Sequence, residues 1–276
     1  MKVESLHIYP VKGLRAVGLD AAAVEPRGLA HDRRWMLVDA TGKFITQREQ
    51  PKLATLKADV TDGSLRLSGE HGSITVPQPG AGAERLPVIL WKQNIEGYVA
   101  APEASAWFSD FLGTPCRLVW QGDLPRPTSE QYAPGHQASY ADGFPLLVTV
   151  TASLDDLNRR MPQALPMNRF RPNIVISGAA PWAEDGWKKI RIGAVTLDIV
   201  KPCTRCVVTT TDQQTGAKDG NEPLNTLKTF RLLRQPGLTG VVFGQNAVPV
   251  VTGTVKVGDA VEVLETQTPP VFVAVA

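Results

Sequence analysis

Twenty-four glycines and 22 prolines are spread along all 276 residues, and the runs between them are short and rich in valine, isoleucine, leucine and threonine. Such punctuation leaves little room for long helices and favours strands joined by tight turns. From Lys2 to about Val99 the runs read VESLHI, RRWMLVD, KFITQ, SLRLSG, SITV and IEGYVA, with a hairpin turn expected at Thr41-Gly42. They predict a small barrel or open sheet. Only three stretches carry helical periodicity. In PEASAWFSDFLG, Ala104, Trp107, Phe108, Phe111 and Leu112 share one face and Gly113 supplies the stop. Ser153 opens a capping-box pattern for LDDLNRRM, and Leu224, Leu227 and Phe230 mark a third short helix.

The segment from Gly122 to Ala141 is rich in proline, glycine and polar residues and marks a division of the chain into residues 1–121 and 122–276. Each part is large enough to bury its own core. The fold class expected is mainly β (α+β): a small N-terminal barrel, then a second barrel with a few short helices. In the second part PLLVTV reads as a buried strand, and Pro172 gives FRPNIVISG an irregular start or an edge position. Trp182, Glu184, Asp185 and Trp187 are expected on the rim of that barrel. Twenty-nine basic and 27 acidic residues leave a net charge of +2, without a basic tract for nucleic acid. No run approaches the ~20 apolar residues of a membrane span, and the first residues enter a strand without a signal segment. A cytoplasmic protein with no membrane anchor is the expectation.

Three cysteines are few and odd in number, which suits a reducing compartment better than a disulfide framework. Cys116 reads as a small buried hydrophobe. Cys203 and Cys206 lie in KPCTRCVVTTTDQQTG (Lys201 to Gly216), where the β-branched runs on both sides predict a tight connection between two strands. A thioredoxin-like dithiol opens a helix, which the run after Cys206 argues against. A structural zinc site needs four ligands, and Cys116, His7, His31, His71 and His136 show no spacing that completes one. Two readings survive. The pair is either a small apolar filling in a barrel corner, or it presents a thiolate beside Arg205, fit to act as a nucleophile or to ligate a soft metal.

KPCTRC followed by VVTTTD resembles the cysteine segment of the MOSC family, the C-terminal domain of molybdenum-cofactor sulfurases. Other matches run through the chain in order: IYPVKG (Ile8 to Gly13), HDRRWMLVD (His31 to Asp39), FRPNIVISG (Phe170 to Gly178), EPLNTLK (Glu222 to Lys228), VFGQN (Val242 to Asn246) and VKVGD (Val255 to Asp259). They extend the resemblance to the β-barrel that precedes MOSC in the mitochondrial amidoxime-reducing component and its bacterial relatives. That resemblance implies the molybdenum cofactor, a pyranopterin that holds the metal by a dithiolene and ends in a phosphate. It assigns Cys206 as the metal ligand and catalytic residue, and leaves Cys203 to packing or support. By the same resemblance the cofactor is held by Lys12, Gly13, Arg33, Asp142, Gly143, Arg171, Asn173, Thr204, Arg205, Cys206, Gln245 and Asn246. Arginines suit an oxyanion because the planar fork binds it bidentately. Gly13 and Asn246 stand where the mitochondrial relatives carry a serine and an aromatic residue. An association with pyridoxal phosphate also comes with the domain.

The activity implied is an oxidoreductase that reduces hydroxylamines, amidoximes or N-hydroxylated bases to amines. No cysteine follows Cys206, so the four cysteines of a plant-type [2Fe-2S] domain are missing from this sequence. Electrons are therefore expected from a separate donor: a ferredoxin, a flavodoxin or a cytochrome b5-like protein with its reductase. The alternative is a module that carries the cofactor, or persulfide sulfur on Cys206, without turnover.

Overall fold

The computed structural model describes residues 1–80, 82–218 and 220–273. Among the described residues strands dominate, with three α-helices, Pro102–Leu112, Thr151–Arg160 and Leu224–Phe230. The fold is mainly β. Its largest sheet has ten strands, and its spine runs Val261–Thr266, Trp187–Ile192, Val195–Thr204, Leu238–Val251, Leu146–Val150, Ile174–Ser177, Lys2–Ile8, Val17–Leu19. The strand Leu146–Val150 lies inside it, parallel to Ile174–Ser177 and antiparallel to Leu238–Val251, and all five of its residues are buried. A nearly continuous apolar run such as LLVTV suits a strand covered on both faces.

The first strand belongs to this sheet although it opens the chain: Leu6 pairs with Ile174 and Lys2 with Ser177. A bulge between Val3 and Ser5 shifts its parity. Val3, Leu6 and Ile8 thereby face inward together. Ala21–Glu25 pairs with Gly253–Lys256 in the same way. One core accordingly mixes Val3, Leu6 and Leu29 with Val148, Ile176, Ile190 and Leu197. A second core is built from Val11 to Leu118 and holds Leu14, Trp35, Leu53, Leu67 and Phe108. Around it stand the four-stranded sheet Trp35–Val38, Arg117–Trp120, Gln93–Val99, Arg85–Leu90 and the meander Lys57–Thr61, Ser64–Gly69, Gly72–Pro77. The helix Pro102–Leu112 closes this core with Ala104, Phe108 and Leu112 and stops at Gly113, whose φ is 69°. Trp107 and Phe111 are half-buried and embrace the His71 ring, at 3.9 and 4.7 Å between centroids.

Several expectations give way to local chemistry. The run after Cys206 is no strand but a 3₁₀ helix, Val207–Thr210. The hydroxyl of Thr209 donates to Cys206 O (2.9 Å) and that of Thr210 to Val207 O (2.8 Å), so threonines bond back to the chain instead of waiting for a neighbouring strand. The argument from β-branching against a helix after Cys206 therefore fails. KFITQ forms only isolated bridges. Ser153 caps nothing, because the helix begins at Thr151; its hydroxyl instead donates to Glu184 Oε2 (2.8 Å) and accepts the Trp182 amide (2.8 Å). Glu184 and Asp185 sit in a buried 3₁₀ turn, not on a rim. Ile174–Ser177 is an inner strand, and Pro172 precedes it rather than interrupting its ladder. No helix among the described residues is long and apolar enough to cross a membrane.

Candidate active site

A cavity lies where the two cores meet. Lys12, Gly13, Arg33, Thr46, Gln47, Arg48 and Trp91 wall one side; Ala141 to Phe144, Phe170, Arg171, Asn173, Cys203, Arg205, Cys206 and Asn246 wall the other. Ten of the residues singled out from sequence meet here. Thr204 and Gln245 do not line it. Thr204 is an exposed strand end, and Gln245 is buried on the opposite face of Leu238–Val251, where its amide donates to Asp185 Oδ1 at 2.7 Å. Gly244, with φ at 76°, sits in a bulge opposite Cys203 and sets which of Gln245 and Asn246 turns to the cavity. A Cβ at Gly244 would stand 2.8 Å from Thr149 Cγ2 and 2.9 Å from Val148 O, so the bulge is confined to glycine.

Some of the residues that hold the cations are ones the sequence does not flag. Tyr9 is 1% exposed, and the guanidinium carbons of Arg33 and Arg171 lie 4.3 and 4.2 Å from its ring centroid. Cation–π attraction of about 1 kcal/mol or more per pair in a desolvated place fixes both arginines without neutralising them. Tyr9 O–H donates to Pro172 O (3.0 Å), and burial pushes its pKa up to about 12. Arg33 reaches Asp32 at 2.5 Å and Asn173 Oδ1 at 3.2 Å. Arg171 donates to Gln213 Oε1 at 2.8 Å, and Gln213 exchanges hydrogen bonds of 2.9 and 3.2 Å with Gln47. Asn173 spends its amide on the backbone of His7 and Leu147 and so positions the wall.

Lys12 donates to Tyr140 O (2.9 Å) and pairs with Asp142. Burial lowers its pKa to about 8 against the pull of that carboxylate. The cavity setting works against the charge of Asp142, but Lys12, Arg33 and Arg48 hold it well below the usual carboxylate range. Arg171 falls to about 10, through burial first. Arg33, Trp91 and Arg171 all have left-handed backbone, with φ of 50°, 57° and 55°. Each such conformation costs a non-glycine residue about 1 kcal/mol or more, and that strain gathers at functional walls.

Arg205 does not serve Cys206. Its Nη1 donates to Cys203 Sγ at 2.8 Å and its Nη2 to Phe170 O at 2.6 Å, while its buried Nε has no partner. The cation beside Cys206 is Arg48, with Nη2 3.5 Å from the sulfur and its guanidinium 4.4 Å from the Trp91 ring centroid. Among the described residues, five cations thus line a cavity that holds one carboxylate, Asp142, with Asp32 buried behind. No cluster of three or more His, Cys, Asp or Glu side chains able to hold a metal occurs among the described residues. One sulfur amid surplus positive charge does not build a metal site alone. It fits a metal that arrives with its own anionic ligand.

Comparison with known proteins identifies the family. Residues 1–115 match the MOSC N-terminal beta barrel domain and residues 135–262 the MOSC domain. The chain is 36% identical to mitochondrial amidoxime-reducing component 1 of Mus musculus, over 95% of this chain and 82% of that protein. The corresponding protein of Homo sapiens is 34% identical over 95% and 82%. Component 2 of Homo sapiens is 33% identical over 94% and 82%. With both domains matched in order and relatives this similar along nearly its whole length, the chain belongs to the MOSC family, in the two-domain form shared with the mitochondrial amidoxime-reducing components.

Proposed function

We propose that this protein is a molybdenum-cofactor-dependent oxidoreductase that reduces N-hydroxylated compounds (hydroxylamines, amidoximes and N-hydroxylated bases) to amines. The observation that supports it most directly is the placement of the Cys206 sulfur in a cavity walled by Lys12, Arg33, Arg48, Arg171 and Arg205. The names of the relatives add the reaction class. In this reading Arg33 and Arg171, held on Tyr9, grip the phosphate of the cofactor. Gly13 and Gly143 let the backbone approach it, while Asp142 and Asn246 meet the polar edges of the pterin. Cys206 ligates the metal through its thiolate, and Arg48 offsets the negative charge there.

When bound, the cofactor supplies the two-electron chemistry that cleaves the N–O bond. The chain contributes position and charge. Trp91 and Phe144 add apolar wall to the cavity, the cations neutralise what would otherwise be a buried anion, and electrons come one at a time from a carrier protein. Purified protein should carry stoichiometric molybdenum and pterin and reduce a hydroxylamine with a chemical electron donor. Cys206→Ser should abolish turnover, and Cys203→Ser should retain most of it because a hydroxyl still accepts from Arg205. Metal without turnover would instead indicate a cofactor carrier; neither metal nor turnover would indicate sulfur transfer.

A further inference from the structure

A second, more open hollow adjoins the first and shares Trp91, Asp142, Gly143 and Phe144 with it. Its other walls are Lys92, Gln93, Arg126 to Ser129, Tyr132 and Lys201. Trp91 forms the ridge between the two. Leu90 pairs with Gln93, so Trp91 and Lys92 are the two-residue tip of a hairpin. With φ at 57°, Trp91 occupies the first turn position, where glycine or asparagine is ordinarily required. Trp91 as a residue is nevertheless 42% exposed. A large ring in a strained turn packs on Phe44 at 4.9 Å between centroids and carries the Arg48 guanidinium, yet keeps further surface open to solvent beside a cavity.

The charges of this hollow divide into used and unused. Arg126 is buried and fully engaged: Nε donates to Gln93 Oε1 (2.9 Å), and its remaining donors reach the carbonyls of Ser139, Ala141 and Asp142. Asp142 is taken by Lys12. Lys92 and Lys201 enter no ion pair among the described residues. The Lys201 ammonium rests over the Tyr132 ring, 4.6 Å from its centroid, and Tyr132 in turn meets Phe144 edge-on at 6.3 Å. Three aromatic rings therefore accompany two ammonium groups that enter no ion pair among the described residues. Lys201 also sits on the strand Val195–Thr204, which leads directly to Cys206.

We infer that the outer hollow is a substrate subsite that selects planar aromatic compounds bearing an anionic substituent, with the ring against Trp91 and the anion on Lys92 and Lys201. Stacking on an indole is tolerant of ring type, whereas an ammonium pair discriminates by charge. The inference rests on the reductase reading only for the fate of the bound compound; the binding preference stands apart from it.

The test compares benzamidoxime with 4-carboxybenzamidoxime, two rings that differ by one carboxylate. Their dissociation constants are measured by equilibrium dialysis against the purified holoprotein, and KM and kcat separately. The carboxylated compound should bind about fivefold tighter or more at low salt, and the margin should shrink as ionic strength rises. Lys201→Gln and Lys92→Gln should each narrow the margin through KM with kcat kept. Lys201→Glu should turn the preference toward 4-(aminomethyl)benzamidoxime. Trp91→Gly, which suits the turn, should weaken both compounds alike while unfolding remains cooperative. Equal affinity for the two compounds, or a preference that survives both lysine substitutions, overturns the inference. Selective binding without any reduction upholds the subsite and refutes the reductase assignment instead.

Discussion

Arg48 reaches the sulfur of Cys206 across 158 residues of sequence, with Nη2 3.5 Å from Sγ, and it is held there by the face of Trp91. The cation nearest in sequence, Arg205, turns to Cys203. Arg48→Gln should therefore lower the molybdenum content of purified protein several-fold. Being half-exposed, the side chain should contribute less than about 1 kcal/mol to unfolding. Arg205→Gln should leave Arg48 and Cys206 in contact and reduce metal content less. Metal analysis beside denaturant melts decides between the two arginines, and equal losses would remove the special role of Arg48.

Tyr9 offers a second lever. Tyr9→Phe keeps the ring under Arg33 and Arg171 and loses only the hydrogen bond to Pro172 O, a change of about 1 kcal/mol in stability. Tyr9→Leu removes the ring that both guanidinium groups rest on. Cofactor occupancy should follow the ring rather than the hydroxyl: near wild type in Tyr9→Phe, and reduced several-fold in Tyr9→Leu. Pterin fluorescence released on denaturation measures it. An unchanged value in Tyr9→Leu would mean that the arginines need no platform.

Much of this arrangement was legible in the sequence. Lys12, Arg33, Arg171 and Cys206 fall in ordered motifs, and the structure gathers all four. Tyr9 and Gln213 lie inside quoted motifs, IYPVKG and KPCTRCVVTTTDQQTG, yet their work appears only when Arg171 is seen to touch both. Arg48 carried no such signal, because its partner comes from the far part of the chain and nothing in TQREQ marks it. Gln245 and Asn246 show a different limit. Which neighbour faces the cavity depends on the register of the strand pair, and the bulge at Gly244 resets it. The threonines after Cys206 mislead for a related reason: hydroxyls that bond to their own backbone override the β preference of the side chain.

Lys12 gives the site a pH dependence of definite sign. Burial lowers its pKa from 10.5 to about 8, so in the cofactor-free protein the ammonium is lost as pH rises through 8. A bound anion favours the charged form. Phosphate affinity should thus be full below pH about 8 and decline above it, by up to about tenfold per unit, and Lys12→Arg should flatten the profile. Stability moves oppositely. The cost of burying the charge is present below pH 8 and is relieved between 8 and the unfolded value near 10.5. Calorimetric titration with phosphate from pH 7 to 9.5 reads the first effect, and a flat wild-type curve would show that Lys12 does not face the anion.

Glu184 lies outside the cavity and tests the fold rather than the chemistry. Its side chain is fully buried; Ser153 donates to Oε2 at 2.8 Å, and Oε1 has no partner. Burial, with Asp185 adding to it and Arg231 opposing it, raises its pKa from 4.5 to about 7. The group holds its proton more tightly folded than unfolded. Its stabilising contribution is therefore complete below pH about 4.5 and is lost as pH rises through about 7. A shift of this size corresponds to a few kcal/mol, on the order of 3. Relative to Glu184→Gln, whose amide cannot ionise, the wild-type protein should lose most of that amount between pH 5 and 8, measured by urea unfolding at fixed ionic strength. If the two proteins keep a constant difference across this range, Glu184 is ionised throughout, and the buried turn at Ala183–Gly186 must tolerate a charge offset by a backbone hydrogen bond, Ser153 and the neighbouring Arg231.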